Sequence, residues 1–300
     1  MPDACAHRLP ETVITVIVPQ AAAFVQPKSA LGPSAGACGG KALECCTKPR
    51  TERGLSKEPV DHISRDAQRS SRGDNLDGSG ARTLGDQVYA VLREMLISGT
   101  FQPGEKLSLR TLARRMKVSV QPVRNAVARL IADGALIVAP NRAVRVPLLT
   151  AAQFSELTAI RLAIEGFAVE MAASKRTRAD LVRIRRYDRQ FRQQCHSDSP
   201  DLEMAVRANQ ALHFSVYRAA RMPALMPIIE GLWLKIGPVL NLDMRSSPVR
   251  LRVGLAEACH AAMVAGLEAG AADVARAALA RDIATAASFI LSRGILRPAR

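Results

Sequence analysis

The sequence predicts a mainly α protein in two folded parts, and three observations predict it. Aromatic residues are only 4% of the chain, and alanine and leucine dominate the 48% that is apolar, which favours helices over sheet. After Thr150 the apolar patterns all have helical spacing. Between Thr83 and Val146, helical runs are followed by two short β-rich runs. Helix, helix, helix and hairpin is the order of a winged helix-turn-helix. The expected fold is therefore an N-terminal winged helix-turn-helix followed by an all-α antiparallel helical bundle.

Three hundred residues give room for two ordinary domains, here 81–149 and 150–297. Residues 1–80 show no sustained period. Gly and Pro punctuate "LGPSAGACGG", and a polar run, "SKEPVDHISRDAQRSSRGDNLDGSG", follows. That composition predicts a disordered extension, unless the true translation start lies downstream of it. The run "TVITVIV" is too short to span a bilayer, and its acidic and proline flanks make a poor signal peptide, so no membrane role is expected and the location is cytoplasmic. Six cysteines contain no CxxC pair, which argues against a thiolate zinc site. Cys195 and Cys259 fall in helical patterns and read as free thiols.

The net charge of +15 points to an acidic partner, most often nucleic acid. Its distribution is more telling. Residues 81–150 hold 11 Lys/Arg against 4 Asp/Glu, the densest positive segment of the chain.

In that segment "TLGDQVYAVLREMLISG" predicts a helix stopping at Gly99, and "FQPGEKL" a Pro-Gly turn. "SLRTLARRMK" predicts a second helix with Ser108 as its cap. "VSVQPVRNAVARL" begins the third. Ser119 is its N-cap, Pro122 sits in the first turn where its missing N–H costs nothing, and the helix runs from about Val120 to Ala132. "DGALIVAPNRAVRVPLL" predicts two strands around a "PNRA" turn. Arg124 faces outward near the end of the third helix that such folds push into a major groove, where a guanidinium grips phosphate or a guanine edge. Arg110 lies in the same frame. Asn141 and Arg142 sit at the hairpin tip, as wing residues or as ordinary turn residues. Arg114, Arg115 and Lys117 add general attraction to the DNA backbone.

Residues 83–147 resemble the DNA-binding domain of GntR-family bacterial repressors. The string "ISGTFQPGEKLSLRTLARRMKVSVQPVRNAVARLIADGALIV" carries the family's "G…PG..L" turn, "LA" helix and "VS..PVR.A...L". Arg110 and Arg124 keep family positions. Leu109 and Asn125 stand where the family usually has acids, Val120 where it has arginine, and Gln121 where it has a small hydroxyl residue. These departures predict an operator core other than the family's usual one, with Gln121 reading an adenine. The resemblance implies a double-stranded DNA operator contacted by Arg110, Ser119, Gln121, Arg124, Asn141 and Arg142, bound by a homodimer.

In the second part, six amphipathic helices are expected, the fourth ending near Gly237-Pro238. Asn209 and His213 are one turn apart on one face. His260 lies on the apolar face of a later helix, and Asp282 points inward from the last. Each alone is an ordinary core polar residue; together they are how bundles build metal sites. Residues 154–293 resemble the FCD ligand-binding domain of FadR-like regulators. "AIRLAIEGFAVEMAA", "NQALHFSVYRAARMPAL" and "EACHAAMVAGLEAGAADVARAALARDI" match its three motifs. That family commonly binds a divalent metal through Asp or Asn and three His. The resemblance carries the ligands onto Asn209, His213, His260 and Asp282, with Asp282 replacing the last His. Such a set suits Zn, Mn or Ni, or else is a vestigial polar pocket that meets effector directly. Arg161 shares a face with Phe154, Leu157 and Ile164 and points inward. Its partner is Glu165 one turn on, an effector carboxylate, or both, since the family often senses small organic acids.

These readings converge on a ligand-responsive transcriptional regulator, a repressor under control of a small organic acid. The alternative is a constitutive DNA-binding dimer whose helical domain keeps a vestigial ligand or metal site. An enzyme is not expected: there is no H-E-x-x-H, phosphate-cradling Gly loop or nucleophile elbow.

Overall fold

A computed structural model describes residues 83–298 except 247 and 254, so the expected disorder of residues 1–80 lies outside the described residues. Helix α1 (Leu84–Ile97) starts at Thr83, whose hydroxyl accepts from the Asp86 amide at 3.1 Å. Its Val88, Leu92 and Leu96 are fully buried. Helix α2 (Leu109–Arg115) is capped by Ser108, which accepts from the Thr111 amide at 3.3 Å. Lys117 takes the left-handed conformation (φ 54°) that turns the chain into α3 (Val120–Ala132). Val123, Ala126, Val127 and Leu130 of α3 face inward onto α1 and α2.

Strands β1 (Lys106–Leu107), β2 (Ile137–Val138) and β3 (Val144–Arg145) form an antiparallel sheet in the order β1-β3-β2. The expected hairpin is β2–β3. The third strand, β1, corrects the expectation of a plain turn over "FQPGEKL": Lys106 pairs with Arg145 and Leu107 with Val144. A two-residue strand has no readable period, so only its partner reveals it.

The bundle contains α4 (Ala151–Lys175), α5 (Arg178–Cys195), α6 (Leu202–Ala219), α7 (Leu225–Ser246), α8 (Val249–Val253), α9 (Ala256–Ala269) and α10 (Ala272–Ser292). Capping boxes start α4 (Thr150 with Gln153) and α5 (Thr177 with Asp180), satisfying amides that the helices leave orphaned. Helix α10 packs along α4 and α9, and α5 along α6. Fully buried Trp233, Ile229 and Ile236 bring α7 into the core. Leu225–Leu242 is long and apolar enough to cross a membrane, and its apolar face is spent on this core.

Two expectations about the bundle are corrected. The bundle has seven helices among the described residues, because short α8 follows α7. Helix α7 also does not stop at Gly237-Pro238 but continues to Ser246. Proline removes one helical hydrogen bond there, and packing offsets it. Gly237 lies against the end of α1, where an added Cβ would sit 2.5 Å from the Ile97 carbonyl oxygen. Buried Asn241 donates through Nδ2 to that same oxygen at 2.8 Å. One turn on, Arg245 donates to the Gly99 carbonyl at 3.3 Å and to Thr100 Oγ1 at 3.0 Å. The Gly-Pro pair marks a close helix crossing, a pattern indistinguishable from a stop signal in one-dimensional sequence.

Candidate nucleic-acid interface and candidate metal centre

The outer face at the N-terminal end of α3 is polar, and the first turn contains no acid. Gln121, Arg124 and Asn125 are exposed there, as are Ser119 at the cap and Arg110 on α2. Ser119 stands at the expected N-cap position with extended backbone, but its hydroxyl makes no capping bond. The cap expectation is thus corrected in its chemistry: the position is the N-cap, but its side chain does not bond the helix amides. Arg124 donates to Gln121 Oε1 at 3.4 Å, and Gln121 Nε2 to Asn125 Oδ1 at 3.1 Å. Asn141 and Arg142 are exposed at the β2–β3 tip. Asn141 Oδ1 accepts from the Ala143 amide at 3.2 Å, and Arg142 takes φ 59°. Both therefore serve the turn, whatever else they meet.

Two other arginines of this domain are committed inside it. Arg129 pairs with Asp86 at 2.6 Å and lies 4.0 Å over the Tyr89 ring, bracing α3 on α1. Arg145 donates to the Gly104 carbonyl at 2.9 Å.

In the bundle, α6, α9 and α10 bring His213, His260 and Asp282 together, with one ligand atom from each within 4.8 Å of the others. His213 Nε2 is 3.3 Å from Asp282 Oδ2, and His260 Nε2 is 3.7 Å from Oδ1. Asn209, Arg161, His213 and Asp282 line a cavity of about 20 Å³ beside them. That is room for one water or one metal ion and not for an organic acid. His260 is fully buried, and neither ring nitrogen has a hydrogen-bond partner. Burial pushes its pKa down to about 4, so the ring is neutral and offers lone pairs at neutral pH. Burial alone would raise the Asp282 carboxyl, but the His213 hydrogen bond and nearby positive charge outweigh it and bring it to about 2.

Behind His213 runs a chain of polar groups that sets its tautomer. Arg161 is buried and donates to both Glu165 oxygens, at 2.6 and 3.2 Å, while lying 5.1 Å from the Trp233 ring centroid. Tyr217 donates its single hydroxyl proton to Glu165. The Tyr217 oxygen therefore accepts from His213 Nδ1 at 3.1 Å. With Nδ1–H given to Tyr217, Nε2 of His213 faces the Asp282 carboxylate at 3.3 Å, a contact held by a proton on Nε2 or by a cation between the two groups. Together with the orphaned nitrogens of His260, this donor set fits a divalent ion. Sequence reasoning named Arg161, Glu165 and the ligand residues. It did not single out Tyr217, although its place one turn after His213 was the available signal.

A second pocket of about 140 Å³ adjoins this cavity. Arg250, Ala256, Asp282 and Ala286 line both, and Leu255, Thr285 and Phe289 complete the outer one. Arg250 sits on α8, a helix too short to show a period, and was not anticipated. Its guanidinium donates to the Leu240 carbonyl at 2.7 Å.

A family model described as bacterial regulatory proteins, gntR family, matches residues 84–146, and an FCD domain model matches residues 156–285. The HTH-type transcriptional regulator McbR of Escherichia coli K12 is 33% identical over 167 residues, 55% of this chain and 75% of McbR. The uncharacterized HTH-type transcriptional regulator YdhC of Bacillus subtilis 168 is 31% identical over 127 residues, 42% of this chain and 56% of YdhC. The solved structure of McbR/YncC from E. coli has a TM-score of 0.66 at 29% identity, covering 71% of this chain and 99% of that one. A putative GntR regulator from Rhodococcus sp. RHA1 shares the fold, with a TM-score of 0.56 at 23% identity over 69% of this chain and 97% of that one.

Proposed function

This chain belongs to the gntR family of bacterial regulatory proteins and carries an FCD domain, and from that premise we propose that it is a repressor controlled by a small organic acid. Its matched domains are those of transcription regulators rather than of enzymes. A cytoplasmic homodimer binds a pseudo-palindromic operator, each α3 lying in a major groove. Arg124, Gln121, Ser119 and Arg110 meet the groove and its phosphates, and Asn141 and Arg142 meet the flanking DNA through the wing.

The observation that carries the sensor half is His260, buried with two unpartnered ring nitrogens beside Asp282. His213, His260, Asp282 and Asn209 would hold one divalent ion, Zn, Mn or Ni. Such an ion would offset the negative charge of Asp282 and so favour an incoming carboxylate. The inner cavity admits no acid, so the effector occupies the larger outer pocket. Arg250 meets its head. Arg161, committed to Glu165, holds the floor of the site. Helix α7 turns Trp233, Leu240 and Met244 to the cavity, and Gly237, Asn241 and Arg245 to α1. An effector that shifts α7 therefore shifts the DNA-binding domain, which is the differential contact that regulation requires.

The replacement of a third imidazole by Asp282, and an inner cavity of about 20 Å³, favour a second reading: a constitutive DNA-binding dimer with a vestigial site. Thermal-shift screening of small carboxylates, with and without added metal, followed by operator titration separates the two. A ligand that raises Tm and weakens operator binding supports the repressor. Operator binding that no carboxylate or metal changes supports the constitutive dimer.

A further inference from the structure

Three exposed side chains at the start of α3 are tied to one another rather than to the body of the protein. Arg124 donates to Gln121 Oε1 at 3.4 Å, and Gln121 Nε2 donates to Asn125 Oδ1 at 3.1 Å. A guanidinium has donors only, so Arg124 fixes which end of the Gln121 amide faces it. Gln121 in turn presents an N–H to Asn125 and fixes that amide as well. Both amide oxygens are thereby turned into the network. What remains for a partner is the Asn125 NH₂, the second N–H of Gln121 and the other guanidinium N–H groups. Ala128, exposed on the same side of α3, adds no bulk that would hold the helix away from a groove.

We propose that this donor-rich face reads guanine, and that Asn125 is a specificity-determining residue for the operator. Guanine turns two acceptors, N7 and O6, into the major groove. Adenine offers one acceptor and one donor. An amide that reads it must turn its oxygen to the adenine N6 amino group, and here both oxygens point into the network, each with one lone pair already taken by a neighbour. The expectation that Gln121 reads adenine therefore gives way to guanine, with Gln121 setting the orientation of Asn125. This rests on α3 lying in the major groove, as proposed above.

The test is selection of bound sequences from a random DNA pool by the full-length protein and by two exposed-site variants, Asn125→Asp and Gln121→Ala. Wild type is expected to select guanine at the contacted positions of each half-site. Asn125→Asp replaces the outward donor by an acceptor, so preference moves from guanine toward cytosine, whose N4 donates. Loss of one good base contact lowers discrimination roughly 5- to 150-fold. Gln121→Ala frees Asn125 to rotate and admits adenine. Circular dichroism and Tm check that both variants fold as wild type does. Adenine selected by wild type, or an unchanged preference in Asn125→Asp, overturns the proposal alone. Wild type that selects no sequence overturns the groove placement with it.

Discussion

Asn241 donates to the carbonyl of Ile97 at 2.8 Å, across 144 positions of sequence. Ile97 ends α1 of the DNA-binding domain and Asn241 lies deep in α7 of the bundle, so one buried hydrogen bond joins the two. Replacing Asn241 with Ala leaves that carbonyl without this donor, which costs about 1–3 kcal/mol. Gly237→Ala adds a methyl 2.5 Å from the same oxygen and separates the helices, at about 1–3 kcal/mol or more. Denaturant unfolding followed at Trp233 and by circular dichroism measures both. If α7 carries the effector signal, each variant also binds ligand with nearly unchanged affinity while operator affinity responds less to it. An undiminished response would place the coupling elsewhere.

Arg124 and Arg129 are near neighbours with opposite expected phenotypes. Arg124→Ala should weaken operator binding and, if the contact is to phosphate, reduce the salt slope by about one. Arg129 is half-exposed and braces α3 against Asp86 and Tyr89, so Arg129→Ala should cost about 0–1 kcal/mol of stability and leave the salt slope unchanged. Titration of operator DNA at several salt concentrations distinguishes them. Unchanged operator affinity together with an equal salt slope in Arg124→Ala would remove Arg124 from the interface.

The contrast also shows what sequence could reveal. The periodicity of α3 and the inward set Val123, Val127 and Leu130 are one-dimensional facts, and the structure repeats them. The gathering of His213, His260 and Asp282 is three-dimensional, but their inward helical phases and a family resemblance made it legible. Three features were not legible. Strand β1 is too short to have a period, Arg250 lies on a helix of five residues, and Gly237-Pro238 carries the residues of a helix stop while serving a close crossing. Each depends on what packs against it, which local pattern does not encode.

Metal addition is expected to raise Tm. A ligand at one hundred times its Kd stabilises by about 2.7 kcal/mol, which calorimetry resolves. Elemental analysis of the purified protein should find close to one equivalent of Zn, Mn or Ni. His260→Ala removes a donor without touching the Arg161–Glu165–Tyr217 chain, so it should abolish the metal-dependent shift while the protein still folds. A full shift in His260→Ala would exclude this histidine as a ligand.

The Arg161–Glu165 pair permits a prediction in which stability and sensing separate. Both side chains are buried, and Glu165 also accepts from Tyr217. Glu165→Gln leaves a guanidinium in the core without its charge partner and should cost about 3–5 kcal/mol. Replacing both, as Arg161→Met with Glu165→Leu, removes the desolvation penalty along with the attraction, and should recover much of that loss. Tyr217 then keeps only its bond from His213, so Tyr217→Phe in the same background should cost no more than that bond, about 0.5–1.5 kcal/mol. Denaturant unfolding of the single, double and triple variants gives the coupling directly. If Arg161 only holds the floor of the site, the folded triple variant still answers a carboxylate through the outer pocket, with weaker metal binding because His213 has lost the oxygen that fixed its tautomer. If Arg161 itself grips the effector, the same variant folds and binds operator but no carboxylate shifts its Tm.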